Sequence, residues 1–192
     1  MAQEPDSSPA KKEIVSVQRL YNRMKHSGPF LELASRLESG VQEISIRGAS
    51  GSLSAFAATC VEEAVSGPAL LVCSDDDKAD ALRDDLERIL GSERVGFFPA
   101  WGVSPYDGRS PHLDVMGLRI EALEQAREGR DGIIVAPVGA LTGHTIPPEV
   151  FDRAVQSVKV GKETSLERLT AHLVEIGYER VPMVDSVGQF SV

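Results

Sequence analysis

Short apolar runs that alternate with helix-like stretches constrain the fold of this chain more than any other feature. The runs read EISIR, ALLVC, RVGFF and DGIIVAP, at residues 43–47, 69–73, 94–98 and 131–137. Helical patterns at 53–65 and 77–90, and a third after Ser110-Pro111, separate them. Strands that alternate with helices indicate a parallel sheet with helical crossovers. We therefore predict an open α/β domain with four parallel strands over residues 14–140.

The helices of this predicted domain each have one apolar face. The acidic helix at 77–90 has Ala79, Leu82, Leu86 and Ile89 on one side, and Gly91 is its stop signal. The later helix is expected to start with Ser110 as N-cap and to bury Leu113, Met116, Ile120 and Leu123. Two shorter helices are expected within 14–37, with Pro29 in the first turn of the second.

A smaller α+β domain is predicted over residues 141–192. Thr164 and Glu167 form a capping box at the start of a helix that ends at Gly177. Its expected inward residues are Leu166, Leu169, Leu173 and Ile176. The pattern after the helix predicts a strand pair, or a strand with a turn. The sequence stops abruptly at Val192, so we expect this domain to be truncated. Residues 1–13 are polar with two prolines, which predicts a disordered leader.

The junction between the run at 43–47 and the next helix has the outline of a phosphate loop. A working loop of pattern GxxxxGK[ST] uses a Lys for the β/γ oxygens and a hydroxyl for Mg²⁺. Gly48 and Gly51 would form the turn, and Ser52 follows them in the sequence. In this alignment the Lys position of the motif falls on Ser54 and the hydroxyl position falls on Ala55. Such a loop would be vestigial. An ordinary strand-turn-helix junction also favours Gly and Ser, so both interpretations stay open.

Composition excludes several functional classes. The chain has 20 basic and 29 acidic residues, a net charge of −9, which disfavours nucleic-acid binding by phosphate neutralisation. Cys60 and Cys73 lack metal-site spacing and are expected to be buried free thiols. No membrane span or signal peptide is recognisable, which predicts a cytoplasmic protein.

The residues suggest no catalytic or metal site. The four histidines are scattered and none lies in a nucleophile or zinc motif: His26, His112, His144 and His172.

Several motifs resemble one bacterial family. The pieces FPAW, SPYD, SPH and VAPV occur in order between residues 98 and 138, and PPEVF and GYERVPMVDSVGQFSV follow at 147–151 and 177–192. The chain is thereby similar to the N-terminal part of bacterial transcription-repair coupling factors. This resemblance implies a module like the excision-repair protein UvrB: a helicase-like domain 1a with a degenerate phosphate loop, followed by part of an inserted domain 2.

The resemblance also implies a function. Domain 2 of that family captures UvrA, and the UvrB-like module does not hydrolyse ATP. ATP and Mg²⁺ would belong to a downstream motor of the parent protein, and RNA polymerase and DNA would be contacted through other downstream domains. No cofactor is expected in this fragment.

The expected UvrA contact is Arg180, which matches the arginine that UvrB-type proteins carry shortly after the GY dipeptide. The next such position falls on Ser191, and Gln189 and Phe190 lie beside it. Arginine and aromatic residues are typical of interface hot spots. The alternative is that Arg180 is an ordinary exposed charge and Phe190 belongs to the core.

UvrB grips DNA with a β-hairpin that would lie after Tyr106. Only about five residues separate Tyr106 from the next helix, which is too few for two strands and a turn. The resemblance therefore favours recruitment, while a DNA-binding module and a weak NTPase remain alternatives.

Overall fold

A computed structural model describes residues 16–103, 108 and 110–192. The predicted leader at 1–13 and Tyr106 lie outside the described residues. Two helices come first, α1 (Val17–Lys25) and α2 (Gly28–Glu38), and Pro29 is in the first turn of α2 as predicted. On α1, Tyr21 is buried and stacks on Phe56 with the ring centroids 5.8 Å apart, which holds α1 against the rest of the protein.

A small parallel sheet organises the described chain. Its strands are β1 (Pro68–Cys73), β2 (Val95–Phe97) and β3 (Gly132–Pro137). Both β1 and β2 pair with β3 in parallel, so β3 is central and the order is β1-β3-β2. The connecting helices are α3 (Leu53–Ala64), α4 (Asp76–Leu90) and α5 (Leu113–Glu128). The prediction of an α/β fold with a parallel sheet is confirmed.

The predicted first strand, at 43–47, is wrong. This segment has no strand assignment, and no described strand pairs with it. Ile44 packs partly against the core, whereas Ile46 is exposed. Alternating apolar residues predict an extended backbone, but a strand also requires a neighbour to complete its hydrogen bonds. The described sheet therefore has three strands instead of four.

The main core lies between one face of the sheet and helices α3 and α4. Leu86, Ile133 and Val135 are almost completely inaccessible to solvent there. The predicted apolar face of α4 is confirmed, because Ala79, Leu86 and Ile89 are buried and Leu82 packs against the same cluster. The helix ends at Leu90, and its C-cap is Gly91, whose φ of 92° suits glycine.

The predicted inward face of α5 is only partly correct, because Leu123 packs against a buried cluster and Met116 is half-buried. Leu113 and Ile120 are exposed, whereas the buried residues of α5 are Arg119, Ala122 and Gln125. These three residues are spaced by three and lie along one side of the helix. The expected N-cap is also corrected: His112 caps α5 and Ser110 does not, because Nδ1 of His112 accepts a hydrogen bond from the Asp114 N–H at 3.4 Å.

After β3, the described chain forms three helices and a second, two-stranded sheet. They are α6 (Val138–Leu141), α7 (Pro148–Ala154), α8 (Leu166–Glu175), β4 (Glu179–Arg180) and β5 (Gln189–Phe190). The predicted strand pair is confirmed, and its strands are parallel. A two-point ion pair joins α5 to α7, from Arg127 Nε and Nη2 to the Asp152 carboxylate at 2.9 and 2.5 Å. The division into domains at residues 140/141 stays a prediction.

Two predictions about α8 need correction. Its N-cap is Ser165 and not Thr164, since Ser165 Oγ accepts from the Arg168 N–H at 3.3 Å. The expected inward face is not buried: Leu166 and Ile176 are exposed, and no residue of α8 is buried by the described chain. The helical period was correct, but a period alone does not provide a surface to pack against.

The two cysteines are free and buried, as predicted. Burial is the main cause that raises the pKa of both thiols, with nearby carboxylates adding to it. A raised pKa leaves less thiolate at a given pH, and thiolate is the reactive form.

We expect Cys60 and Cys73 to react with a disulfide reagent at pH 8 at least about 100-fold more slowly in the native protein than in urea. Rapid native labelling of either thiol would contradict this burial.

Candidate functional site

The glycine-serine loop before α3 lacks the side chains of a phosphate-binding site. Gly48 and Gly51 have φ values of 81° and 57°, which form the turn. The Ser54 hydroxyl donates to the Ala49 carbonyl at 3.2 Å and thus closes the loop on itself. Ala55 is fully buried. Ser52 is the N-cap residue of α3, but its side chain makes no capping bond. These five residues form the loop and the first turn of α3, and none of them carries a positive charge.

A cleft of about 450 Å³ lies beside this loop and is also lined by Lys78 of α4. The Lys78 ammonium donates to Ser74 Oγ at 2.8 Å and pairs with Asp75 at 3.1 Å. The backbone N–H of Lys78 is the main cause that holds the pKa of Asp75 below its usual value. The Lys78 ammonium is therefore paired with residues that precede α4, of which Asp75 is the N-cap.

The three predicted partner-binding residues lie together on the β4-β5 ladder. Arg180 pairs in register with Phe190, next to Gln189. Arg180 is exposed, and its Nη2 donates to the Val192 carbonyl at 3.4 Å. Gln189 Oε1 accepts from the backbone N–H groups of Asp185 and Ser186. Phe190 is only 9% exposed. Arg180 thus presents the charge, while Gln189 and Phe190 support the ladder from within.

Exposed apolar side chains surround Arg180 in the sequence. Tyr178 precedes it, and Met183, Val184 and Val187 lie in the connection between β4 and β5. Met183 is 80% exposed. An accessible arginine among accessible apolar side chains is the composition expected of a protein-binding surface. We call Tyr178, Arg180, Met183, Val184 and Val187 the Arg180 surface.

Comparison with known proteins identifies relatives over most of the chain. A transcription-repair-coupling factor of Myxococcus xanthus is 32% identical over 177 residues, which is 88% of this chain. The corresponding protein of Bacillus subtilis is 27% identical over 169 residues, again 88% of this chain. The chain is related to the transcription-repair-coupling factors. It spans 15% and 14% of the lengths of these two relatives. No family model matches the chain.

The resemblance inferred from the sequence motifs is therefore confirmed. A third transcription-repair-coupling factor, from Mycobacterium tuberculosis, is 30% identical over 132 residues, or 66% of this chain.

A buried arginine was missed by the sequence analysis. Arg119 of α5 is 2% exposed, and its guanidinium lies 3.7 Å from the ring centroid of Phe98 and 4.0 Å from that of Trp101. Its Nη1 donates to the Pro99 carbonyl at 2.5 Å, while Nη2 is buried without a hydrogen-bond partner. Burial lowers the pKa of Arg119. The residue fastens the segment after β2 to α5.

Local sequence marks the face of α5 that carries Arg119 only by its helical spacing. Arg119, Ala122 and Gln125 recur every three residues, as a helix face does. Two of the three are polar, so hydrophobic periodicity placed them toward solvent. The aromatic side chains of Phe98 and Trp101 compensate by providing a cation-π environment for the guanidinium.

An ion pair between a buried carboxylate and a partly exposed arginine was also missed. The Glu62 side chain on α3 is 1% exposed, and its Oε1 accepts a hydrogen bond from Arg94 Nη2. Its other oxygen, Oε2, is buried without a partner. Glu62 stands in the last part of α3, where a carboxylate is usually solvated, so nothing in the local sequence marked it as buried.

The described residues provide no group of three or more His, Cys, Asp and Glu side chains arranged to hold a metal ion. Within the same part of the chain, no helix is long and apolar enough to cross a membrane. The predicted absence of a metal site remains a prediction.

Proposed function

We propose that this chain is a non-catalytic module of a transcription-repair-coupling factor and that it recruits UvrA through the Arg180 surface. The observation that carries the proposal is the exposed Arg180, which has accessible apolar residues close to it in sequence, in a chain related to these factors. The proposal includes a helicase-like domain with a vestigial phosphate loop, followed by part of a UvrA-binding domain, in a cytoplasmic protein.

The chemistry of the Arg180 surface suits a protein partner. Arg180 offers a planar guanidinium that can bind a carboxylate through two parallel hydrogen bonds. Met183 and Val187 supply apolar area that becomes buried on association. Phe190 contributes indirectly, because it is buried under the ladder that positions Arg180. Removal of Phe190 would therefore act through folding and not through a lost contact.

The relatives are named for coupling transcription to repair, and this chain spans about one seventh of their length. We place the ATPase and translocase activity, Mg²⁺ and the contacts with RNA polymerase and DNA in other parts of the parent protein. In this arrangement, the present chain delivers repair proteins to a stalled polymerase, and the motor acts elsewhere.

We expect the isolated chain to bind no ATP at micromolar concentration. Ser54 is engaged with Ala49, and Ala55 is buried, so neither supplies charge or a metal-binding hydroxyl. Isothermal titration calorimetry with ATP and Mg²⁺ tests this directly. Micromolar affinity that is lost in Gly51→Asp would instead establish a nucleotide site and favour the weak-NTPase alternative.

Arg180→Glu is expected to weaken UvrA binding at least tenfold, about 1.4 kcal/mol or more, because charge reversal replaces attraction with repulsion. Arg180→Ala should have a smaller effect in the same direction. Surface-immobilised UvrA and the purified chain provide the measurement. Arg23→Glu on α1 is the matched control, since Arg23 is also an exposed arginine.

Unchanged affinity in both Arg180 variants would remove Arg180 from the interface. Equal losses in Arg180→Glu and Arg23→Glu would indicate a general charge effect. Tight DNA binding by the wild-type chain that falls steeply with salt would favour the UvrB-like DNA-binding alternative.

A further inference from the structure

The outer edge of β2 lies in a polar cleft that the proposed UvrA recruitment does not use. Because β2 is the last strand in the order β1-β3-β2, no described strand pairs with its outer edge. Helix α4 lines one side of the cleft through Arg83 and Glu87, and α5 lines the other through Glu121 and Gln125. The cleft has a volume of about 370 Å³. It therefore has the form of a groove along a sheet edge.

The backbone of Phe97 faces this groove. The Phe98 N–H donates to the Val135 carbonyl on β3 at 2.8 Å. Since neighbouring residues of a strand direct their N–H and C=O groups to opposite edges, those of Phe97 point away from β3. The Val95 N–H, which would point the same way, already donates to Ser92. Phe97 thus offers a donor and an acceptor to an incoming strand.

Two further buried donors line the same cleft without partners. Gln125 is 6% exposed, and its Nε2 has no hydrogen-bond acceptor. Arg83 Nε is also buried without a hydrogen bond, since the nearest ion-pair oxygen, Glu87 Oε1, is 3.8 Å away, and the Arg83 guanidinium lies 4.5 Å from the Phe97 ring centroid. Native proteins satisfy nearly all such groups, so unpaired donors at a cleft point to a ligand that brings acceptors. Peptide carbonyls are acceptors of this kind.

The rim of the cleft is acidic. Four carboxylates line it against two arginines: Glu87, Glu93, Glu121 and Glu124, with Arg83 and Arg130. Glu93 and Glu121 have no ion pair with any residue of the described chain. A ligand with carbonyl acceptors along its backbone and positive side chains matches both the interior and the rim.

We propose that the β2 edge binds an extended, basic segment of a partner protein by strand addition. The segment pairs with the Phe97 backbone, its carbonyls accept hydrogen bonds from Gln125 and Arg83, and its Lys or Arg side chains meet Glu93 and Glu121. This site is separate from the Arg180 surface, which belongs to the β4-β5 ladder, so each proposal can fail without the other.

The test uses the whole chain and three synthetic peptides of equal length. They are acetylated, amidated Lys-Val-Lys-Val-Lys, its Glu-Val-Glu-Val-Glu counterpart, and the basic peptide with alternate backbone nitrogens methylated. Calorimetry measures affinity, and amide shifts in NMR spectra locate the site. We expect the basic peptide to shift the amide of Phe97 and to bind at least tenfold more tightly than both other peptides. Equal affinity for the methylated peptide would overturn strand addition.

Variants of the rim test the charge argument. Glu93→Lys combined with Glu121→Lys should reduce affinity for the basic peptide at least tenfold, whereas Glu43→Lys together with Glu38→Lys makes the same charge change outside the cleft and should have a much smaller effect. Equal effects of the two double variants would overturn the assigned location. Absence of binding of the basic peptide at millimolar concentration, or tighter binding of the acidic one, would overturn the proposal as a whole.

Discussion

Replacing Gly132 with alanine is expected to lower the free energy of unfolding by about 3–5 kcal/mol, the combined cost of steric overlap and backbone strain. Gly132 opens β3 with a φ of 134°, a conformation that side chains rarely adopt. A Cβ there would lie 2.2 Å from the Arg94 carbonyl oxygen and 2.9 Å from Gln125 Nε2. The first contact involves backbone, which has little freedom to withdraw.

Urea denaturation followed by circular dichroism measures this loss. Gly117→Ala is the matched control, because Gly117 lies inside α5 with nothing within 4 Å of the added carbon. That substitution should raise stability by about 0.5–1 kcal/mol through the better helix propensity of alanine. A loss below about 1 kcal/mol in Gly132→Ala would contradict the close approach of the Arg94 carbonyl to the start of β3.

Arg94→Met should cost about 2–3 kcal/mol, because it leaves the Glu62 carboxylate buried without its cation. We expect a smaller loss of stability than for an ion pair with both partners buried, because the Arg94 side chain is 42% exposed and solvent screens the interaction. Methionine retains most of the aliphatic length of arginine, so the loss reports mainly on charge.

A double-mutant cycle separates this effect from packing. Glu62→Met together with Arg94→Met removes both charges, and we expect it to recover at least half of the loss measured for Arg94→Met alone. Urea denaturation of the four proteins gives the coupling energy. Additive losses from the two single substitutions would show that the Glu62 and Arg94 side chains do not interact in solution.

The sequence predicted those elements whose local pattern agrees with their tertiary surroundings. In α4, the apolar stripe and Gly91 indicate the same helix, and the structure has it, with Asp75 as an N-cap that the prediction did not use. The run at 43–47 failed because its alternation describes the backbone but not the neighbouring strand that would pair with it. Whether such a run forms a strand depends on residues far away in the sequence, and local periodicity carries no information about them.

Residues that act through distant contacts were predicted least well. Arg119 is buried because Phe98 and Trp101 enclose it, and Gln125 because Gly96 and Gly132 leave room for its amide. Neither relation has a local signature. Arg180 was located through the family resemblance, and the structure adds that it is exposed while Phe190 beside it is buried. The roles of the two residues could not be separated from the sequence, because both arginine and phenylalanine are typical of interfaces.

The stacking of Arg119 between Phe98 and Trp101 has a spectroscopic consequence. Trp101 is the only tryptophan of the chain, so the whole of its indole emission originates from this one stack. The position of the emission band reports how far water reaches the ring, and the ring is partly exposed in the intact protein. The chain therefore contains a single-site optical probe at the junction of β2 and α5, which separates local release of this segment from global unfolding without any added label.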